Sequence, residues 1–415
     1  MRRISVYAAL WCGVCAAAAH GAAARHVTAV KTKAAIVAAD AEIPQGVILI
    51  EEGVITAVDA PGRLQIPWNA EVIDASDKIV MPGLVVAHTS EGLERQNESM
   101  PDVPWISTFD AIDPFQPYFR RALRDGVAAA LVLPGNATRF GGTGTIVKPA
   151  GATVDEMLIQ RRVGLKVSLA PAGGLNRMGH MQKLREFLRA EQKFLADFQT
   201  AKKEAAQAGR PVQEEVPLEH KDMEDLLAGR LTAFVYCQSA GDAVRALELV
   251  DEFKLKAVLV LGTDAWRAAG AIAKAKLPVI LPPDAVFFDE DPETGEVVRR
   301  NLPAIFAQAR VPFALQCHSR SINAGSLWQV AAEAVRHGLG RKEALAAITA
   351  TPAQLLGLGQ KLGQIKPGFR ANLLFLTGDP LDPRTWVDRV MIDGAFVYER
   401  AQDKYLQELI EGTKQ

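Results

Sequence analysis

Cysteine is scarce in this 415-residue chain, and its four copies fall into two unlike pairs. Cys12 and Cys15 sit in an apolar N-terminal stretch, Cys237 and Cys317 in the body, so no disulfide framework is on offer. Net charge is lacking too. Lys and Arg number 47 against 48 Asp and Glu, a formal charge of -1. That balance gives no electrostatic footprint for nucleic acid or an anionic membrane surface. No Gly-x-Ser-x-Gly elbow surrounds Ser90, which leaves a serine-hydrolase reading without its turn. The glycine-rich stretch Gly141-Gly142-Thr143-Gly144 lacks the Gly-Lys-Ser/Thr of a phosphate loop and the spacing of a dinucleotide fingerprint. After Asn136 it reads as a rim loop lining a pocket.

What is present begins with a leader. Met1-Arg2-Arg3 is basic, residues 4–19 are apolar, and small residues follow to Ala24. The apolar run is shorter than the ~20 residues of a spanning helix. Residues 1–24 therefore read as a secretory signal peptide, placing the mature protein in the periplasm or outside the cell, with no membrane attachment after cleavage. Neither Cys12 nor Cys15 has a Leu-x-Ala/Gly-Cys context, so a lipoprotein is not indicated. Cys237 and Cys317 are expected to be buried free thiols.

Hydrophobic residues make up 49% of the chain, enough for a packed core. Residues 25–80 alternate short strands and turns. Past Gly83 the pattern changes to repeated βα units with fully apolar strands, which implies a parallel sheet or barrel over residues 81–360. A charged helical insertion lies between Gly179 and Ala228, with a solvated face. Residues 284–300 read as a charged rim loop. Residues 361–400 return to β, with a hairpin turning at Asp393-Gly394, and 401–415 form a tail. The simplest packing joins both ends into one small β domain.

The run Lys78-Ile79-Val80-Met81-Pro82-Gly83-Leu84 into Ala87-His88-Thr89 resembles the opening strand of amidohydrolase-superfamily enzymes. The tail, with Pro367-Gly368, Ala371-Asn372-Leu373 and Ile392-Asp393-Gly394, is similar to their closing β segment. Asp110-Ala111-Ile112-Asp113-Pro114, Val132-Leu133-Pro134-Gly135-Asn136 and Arg177-Met178-Gly179 resemble the imidazolonepropionase-like subgroup. The resemblance implies an α/β fold: a (β/α)8 TIM-like barrel plus a composite β-sandwich built from both chain ends. It implies hydrolysis of C–N bonds by a metal-held water. The ligands it implies are His-x-His on strand one, Lys or Glu on strand four, His on strands five and six, and Asp on strand eight.

Set on that frame, His88 matches the first ligand and Ser90 stands at the second. Pro171 falls at the fourth-strand ligand, Gln238 at the fifth, Leu261 at the sixth and His318 at the eighth. Proline and leucine offer no ligand atom, and Ser and Gln are poor ones for zinc. The expectation is a degenerate metal centre with His88 and His318 as relic positions, and no cofactor. His318 is the one candidate catalytic base. His88, Ser90, Tyr236, Gln238 and His318 are the candidate pocket lining. The protein would bind a small molecule, or pair with itself or an amidohydrolase homologue. The alternative is an active hydrolase of amide or peptide-like bonds with a remodelled site, and only that would call for zinc or another divalent metal.

Overall fold

The computed structural model describes residues 26–317 and 326–412. The expected leader and His318 lie outside the described residues. The chain opens with five strands: β1 (Val27–Ala38), β2 (Ala41–Pro44), β3 (Val47–Glu51), β4 (Val54–Asp59) and β5 (Glu71–Pro82). Next come β6 (Leu84–Thr89), α1 (Pro117–Arg124), β7 (Val127–Val132), β8 (Phe140–Thr143), β9 (Thr145–Val147), α2 (Val154–Met157), β10 (Leu158–Gln160) and β11 (Gly164–Ser168). The insertion is α3 (Arg177–Gln207) and α4 (Leu218–Leu227). After it run β12 (Thr232–Cys237), α5 (Ala240–Phe253), β13 (Ala257–Leu261), α6 (Ala269–Ala275) and β14 (Val279–Ile280). The hairpin β15 (Val286–Glu290) and β16 (Val297–Asn301) precedes α7 (Leu302–Gln308) and β17 (Phe313–Ala314). Then come α8 (Leu327–Arg336), α9 (Arg341–Ile348), α10 (Ala350–Leu355), β18 (Leu373–Leu376), β19 (Val387–Ile392), β20 (Ala395–Glu399) and α11 (Lys404–Gly412).

Strands from both ends of the chain form one mixed sheet, in the order β20-β19-β18-β5-β1-β3-β4, with β2 on β1. β5 joins the two ends: it runs parallel to β1 and antiparallel to β18. Val30, Ile48, Val80, Phe375 and Met391 bury one side of it.

The βα series forms two ladders, β10-β9-β7-β6 and β17-β14-β13-β12-β11-β8. They meet where the segment Phe140–Val147 turns a corner. β8 pairs antiparallel with β11, and β9 pairs antiparallel with β7. At that corner Gly144 donates to Gly164 O at 2.8 Å and accepts from Val163 N at 2.9 Å. The chain returns directly after β7 instead of crossing over through a helix, so the third position of the wall departs from a regular (β/α)8 plan. Residues 141–143 are therefore buried strand and Gly144 the buried corner, not a rim loop. Glycine is required at Gly142, where a Cβ would come 2.4 Å from Ile106 O. The expected rim loop 284–300 is also corrected, because it contains the β15–β16 hairpin.

Each wall strand has an inner and an outer face. Val85, Ala87, Ala129, Leu131, Phe234, Val258, Val260, Ile280 and Ala314 share one inner cluster, which runs from β6 to β17. Their neighbours Leu84, Val86, Leu165, Val167, Val235, Leu259 and Leu315 pack outward with the helices. Ala353, Leu356, Leu358 and Leu362, from α10 and the turn after it, plug the inner cluster.

Candidate functional site

His88 reaches the inner face through a bulge. Val86 is opposite Ala130 and Thr89 is opposite Val132, so β6 spends three steps where β7 spends two. Ala87 already faces the inner cluster, and simple alternation would turn His88 outward. The extra residue keeps His88 inside, and Thr89 takes the outer position beside Val132.

Across the interior is a residue absent from the expected set. Lys166 on β11 is flanked by outward-packed Leu165 and Val167, so it points inward and is fully buried. Its Nζ is hydrogen-bonded to His88 Nε2 at 2.7 Å, and it stands 5.6 Å from the centre of the Tyr236 ring. Burial penalises the charged amine and lowers it from 10.5 to about 7. Near neutral pH this lysine is divided between ammonium and free amine, next to an imidazole. The pair can pass a proton from one nitrogen to the other.

The fourth-strand assignment is thus corrected. Pro171 lies exposed beyond the end of β11, five residues after Lys166. Lys166 is the inward residue, and Lys is one of the two types the resemblance implies on that strand. An apolar strand with one lysine at its centre was the available signal.

Tyr236 is half-buried against the inner cluster, and burial raises its phenol. Gln238 is exposed past the end of β12, and Ser90 is half-buried past the end of β6. Among the described residues neither is hydrogen-bonded to Lys166. Leu261 packs outward with the helices, so the next inward position is Gly262. A Cβ there would lie 2.3 Å from Gln238 O, so no side chain can stand at that point. Cys237 is outward and buried, and burial raises its thiol. Cys317 is also free but only half-buried, short of the expected burial, and its thiol is pushed up to about 12 by desolvation.

The rim above Lys166 is polar and tightly bonded. Ser168 Oγ donates to Asn136 O at 2.6 Å, and His180 Nε2 donates to Ser168 O at 2.8 Å. His180 is fully buried on α3, a helix whose sequence read as an amphipathic surface element. Arg177 at the start of α3 donates to Asp242 Oδ1 at 2.7 Å and to Ser239 Oγ at 3.0 Å. Those two residues form the capping box of α5, so α3 is pinned over the strand ends. Beside them a groove of about 470 Å³ is lined by Arg95, Asn97, Trp105, Ser107, Asp110 and Pro134.

Does a metal fit the pair? Two nitrogens bound to one tetrahedral zinc stand roughly 3.3 Å apart, given Zn–N bonds of about 2.0–2.1 Å. His88 and Lys166 are 2.7 Å apart and bonded to each other. Among the described residues no three His, Cys, Asp or Glu side chains converge. The described residues therefore do not fit a zinc centre.

The model of the amidohydrolase family matches residues 246–397. The amidohydrolase tasK of Hapsidospora irregularis is 26% identical over 404 residues, covering 85% of this chain and 40% of its own length. An adenine deaminase of Moorella thermoacetica is 37% identical over 76 residues, 18% of this chain and 12% of its own. The chain thus spans well under half the length of these curated relatives. An amidohydrolase from Thermotoga maritima superposes with a TM-score of 0.80 at 26% identity, over 90% of this chain and all of that one. A molinate hydrolase, at a TM-score of 0.55 and 15% identity over 92% of this chain and 96% of its own, shares the fold. The amidohydrolase family model thus matches the C-terminal part of this chain, and its α/β fold matches TIM-barrel-type amidohydrolase structures.

Proposed function

We propose that this is an exported amidohydrolase of the imidazolonepropionase-like subgroup whose metal centre is degenerate, and that it binds a small molecule at the mouth of the wall with little or no hydrolysis. The direct 2.7 Å contact between His88 and Lys166 carries this reading. Two groups that the family's chemistry would turn toward a metal are satisfied by each other. Gly262 adds support, because the sixth-strand position has no room for a side chain. The groove beside Trp105 and Arg95 offers space for a ligand at the same end. Binding to an amidohydrolase homologue is part of the proposal only as a further outcome of co-purification.

One observation favours a second reading, an active hydrolase of carbon–nitrogen bonds. A lysine amine at about 7 next to an imidazole is a competent proton-transfer pair. Elemental analysis of the purified full chain, with a panel of amide and dipeptide substrates, separates the two. Substoichiometric zinc, manganese and iron without turnover support the first. A full equivalent of metal that is lost in His88→Ala, together with turnover, would overturn it.

A further inference from the structure

At the opposite end of β6 lies a second polar cavity, of about 210 Å³, between the foot of the wall and the hairpin β19–β20. Gly83 N, at the start of β6, donates to Asn372 O at 2.8 Å, which places Asn372 at the foot. His88 is five residues further along, roughly 16 Å away at about 3.3 Å per residue. The cavity is separate from the mouth, and a ligand held here is independent of any ligand held there.

Three cations line the cavity, Lys148, Lys361 and Arg370, against one carboxylate, Asp393. Arg370 Nε donates to Asp393 Oδ1 at 2.7 Å, and Lys148 Nζ reaches Asp393 Oδ2 at 3.4 Å. That carboxylate is shared by two cations, and Lys361 has no ion pair among the described residues. Yet the backbone holds Lys361 beside Arg370, whose N–H donates to Lys361 O at 2.9 Å. A cation kept next to another cation at a cavity wall is a place where an anion gains.

A second observation points the same way. Asn372 is 7% exposed. Its Oδ1 accepts from Asp393 N at 2.8 Å, which fixes the amide orientation. The Nδ2 group is left as a donor on the cavity wall with no partner among the described residues. The Asp393-Gly394 turn that anchors the amide holds Asp393 at φ 53°. The rest of the wall is apolar, with Leu158, Leu358 and Ile392 among its residues.

We propose that this cavity binds a small monocarboxylate with a short branched apolar tail. The carboxylate meets Lys361 and the Asn372 amide, and the tail covers the apolar wall. One uncommitted cation with one neutral donor calls for one negative charge. The fixed Asp393 carboxylate disfavours a more highly charged anion at the same spot. The cavity falls below the ~300 Å³ of ordinary ligand pockets, which limits the tail to a few carbons.

Titration calorimetry of the full chain with 3-methylbutanoate tests this, with 3-methylbutanamide and inorganic phosphate as comparison probes. Saturable one-to-one binding of the carboxylate is expected, with the amide and phosphate each at least about tenfold weaker. Lys361→Gln, at an exposed position, and Asn372→Asp, which keeps the acceptor for Asp393 N–H, should each weaken binding about tenfold or more. Circular dichroism confirms that both variants fold. His88→Ala should bind as the wild type does. Absence of saturable binding overturns the proposal, as does equal binding of phosphate or the amide. Binding unchanged in both foot variants, or lost in His88→Ala, overturns it too.

Discussion

Lys166 Nζ and His88 Nε2 meet at 2.7 Å inside the wall, 78 positions apart in the chain. Two devices bring them together. A bulge in β6 turns His88 inward, and the alternation of β11 points Lys166 the same way. The contact joins the two nitrogens, and burial of the amine makes Lys166 sensitive to pH near neutrality.

The first prediction concerns that sensitivity. Lys166 releases its proton at about 7 in the folded chain, against 10.5 when unfolded. Between these values the unfolded chain binds the extra proton, so stability rises with pH across the window. Below pH 7 both states are protonated and the full cost of the buried charge is felt. Lys166→Met should be more stable than wild type at pH 6.5 by a few kcal/mol (~2–5). The gap should close towards pH 10 in urea denaturation. A gap of the same size at both pH values would contradict the assignment.

Asp125 behaves in the opposite sense. It caps the C-terminal end of α1, where a negative charge also meets the helix dipole unfavourably. Burial raises its carboxyl from 3.8 to about 6, against the pull of Arg124 and Arg121. The folded chain therefore holds the extra proton between pH 3.8 and 6. Stability falls as pH climbs through that window, and the cost is complete above it. Asp125→Asn should stabilise by about 1–2 kcal/mol at pH 7.5 and by nothing measurable near pH 3.5. Thermal unfolding at the two pH values reads the difference.

Gly262 tests whether the sixth strand has room for an inward side chain at all. A Cβ at this position meets Gln238 O at 2.3 Å. Gly262→Ala should cost roughly 2–4 kcal/mol, because backbone cannot yield as a side chain can. Leu261→His should bind no metal, since position 261 faces the helices. Wild-type stability in Gly262→Ala would show that the β12 end gives way.

The C-terminal helix α11 hangs on Asp403. Arg124 Nε and Nη2 donate to its two oxygens at 2.8 and 3.2 Å, and Tyr398 Oη donates at 3.1 Å. The Arg124 bond, ahead of all other causes, holds the Asp403 carboxyl below its usual 3.8. Its contribution is present above pH 3.8 and is lost as pH falls through the lowered value. Asp403→Asn should cost about 1–3 kcal/mol at pH 7. It should also speed tryptic cleavage after Lys404, measured by mass spectrometry. Unchanged cleavage would mean that Arg124 over Tyr405, at 5.0 Å, is enough to hold the helix.

Much of the architecture was legible in the sequence because local patterns carry it. Apolar runs such as 127–132 and 257–261 are strands buried on both faces, and a continuous hydrophobic run states that without help from the rest of the chain. The hairpin at Asp393-Gly394 is equally local. The antiparallel Phe140–Val147 corner was not legible. Its glycines match a rim loop as well as a strand, and the Ile106 backbone that demands Gly142 is 36 positions away. His180 was hidden for a similar reason. The charges of α3 announce its solvated side and say nothing of what the other side meets.

By itself, the sequence determined the class of fold, the early strand that delivers His88, and the poor ligand types at Ser90 and Gln238. Those are properties of residue type and local spacing. Only the tertiary structure decided that Lys166, and not Pro171, faces His88, that Leu261 points away, and that Gly262 has no room to replace it. A one-residue bulge or a one-residue shift of register exchanges the inner and outer faces of a strand. Whether a side chain enters the interior is set by pairing with a distant strand, and that information becomes available only once the wall has assembled.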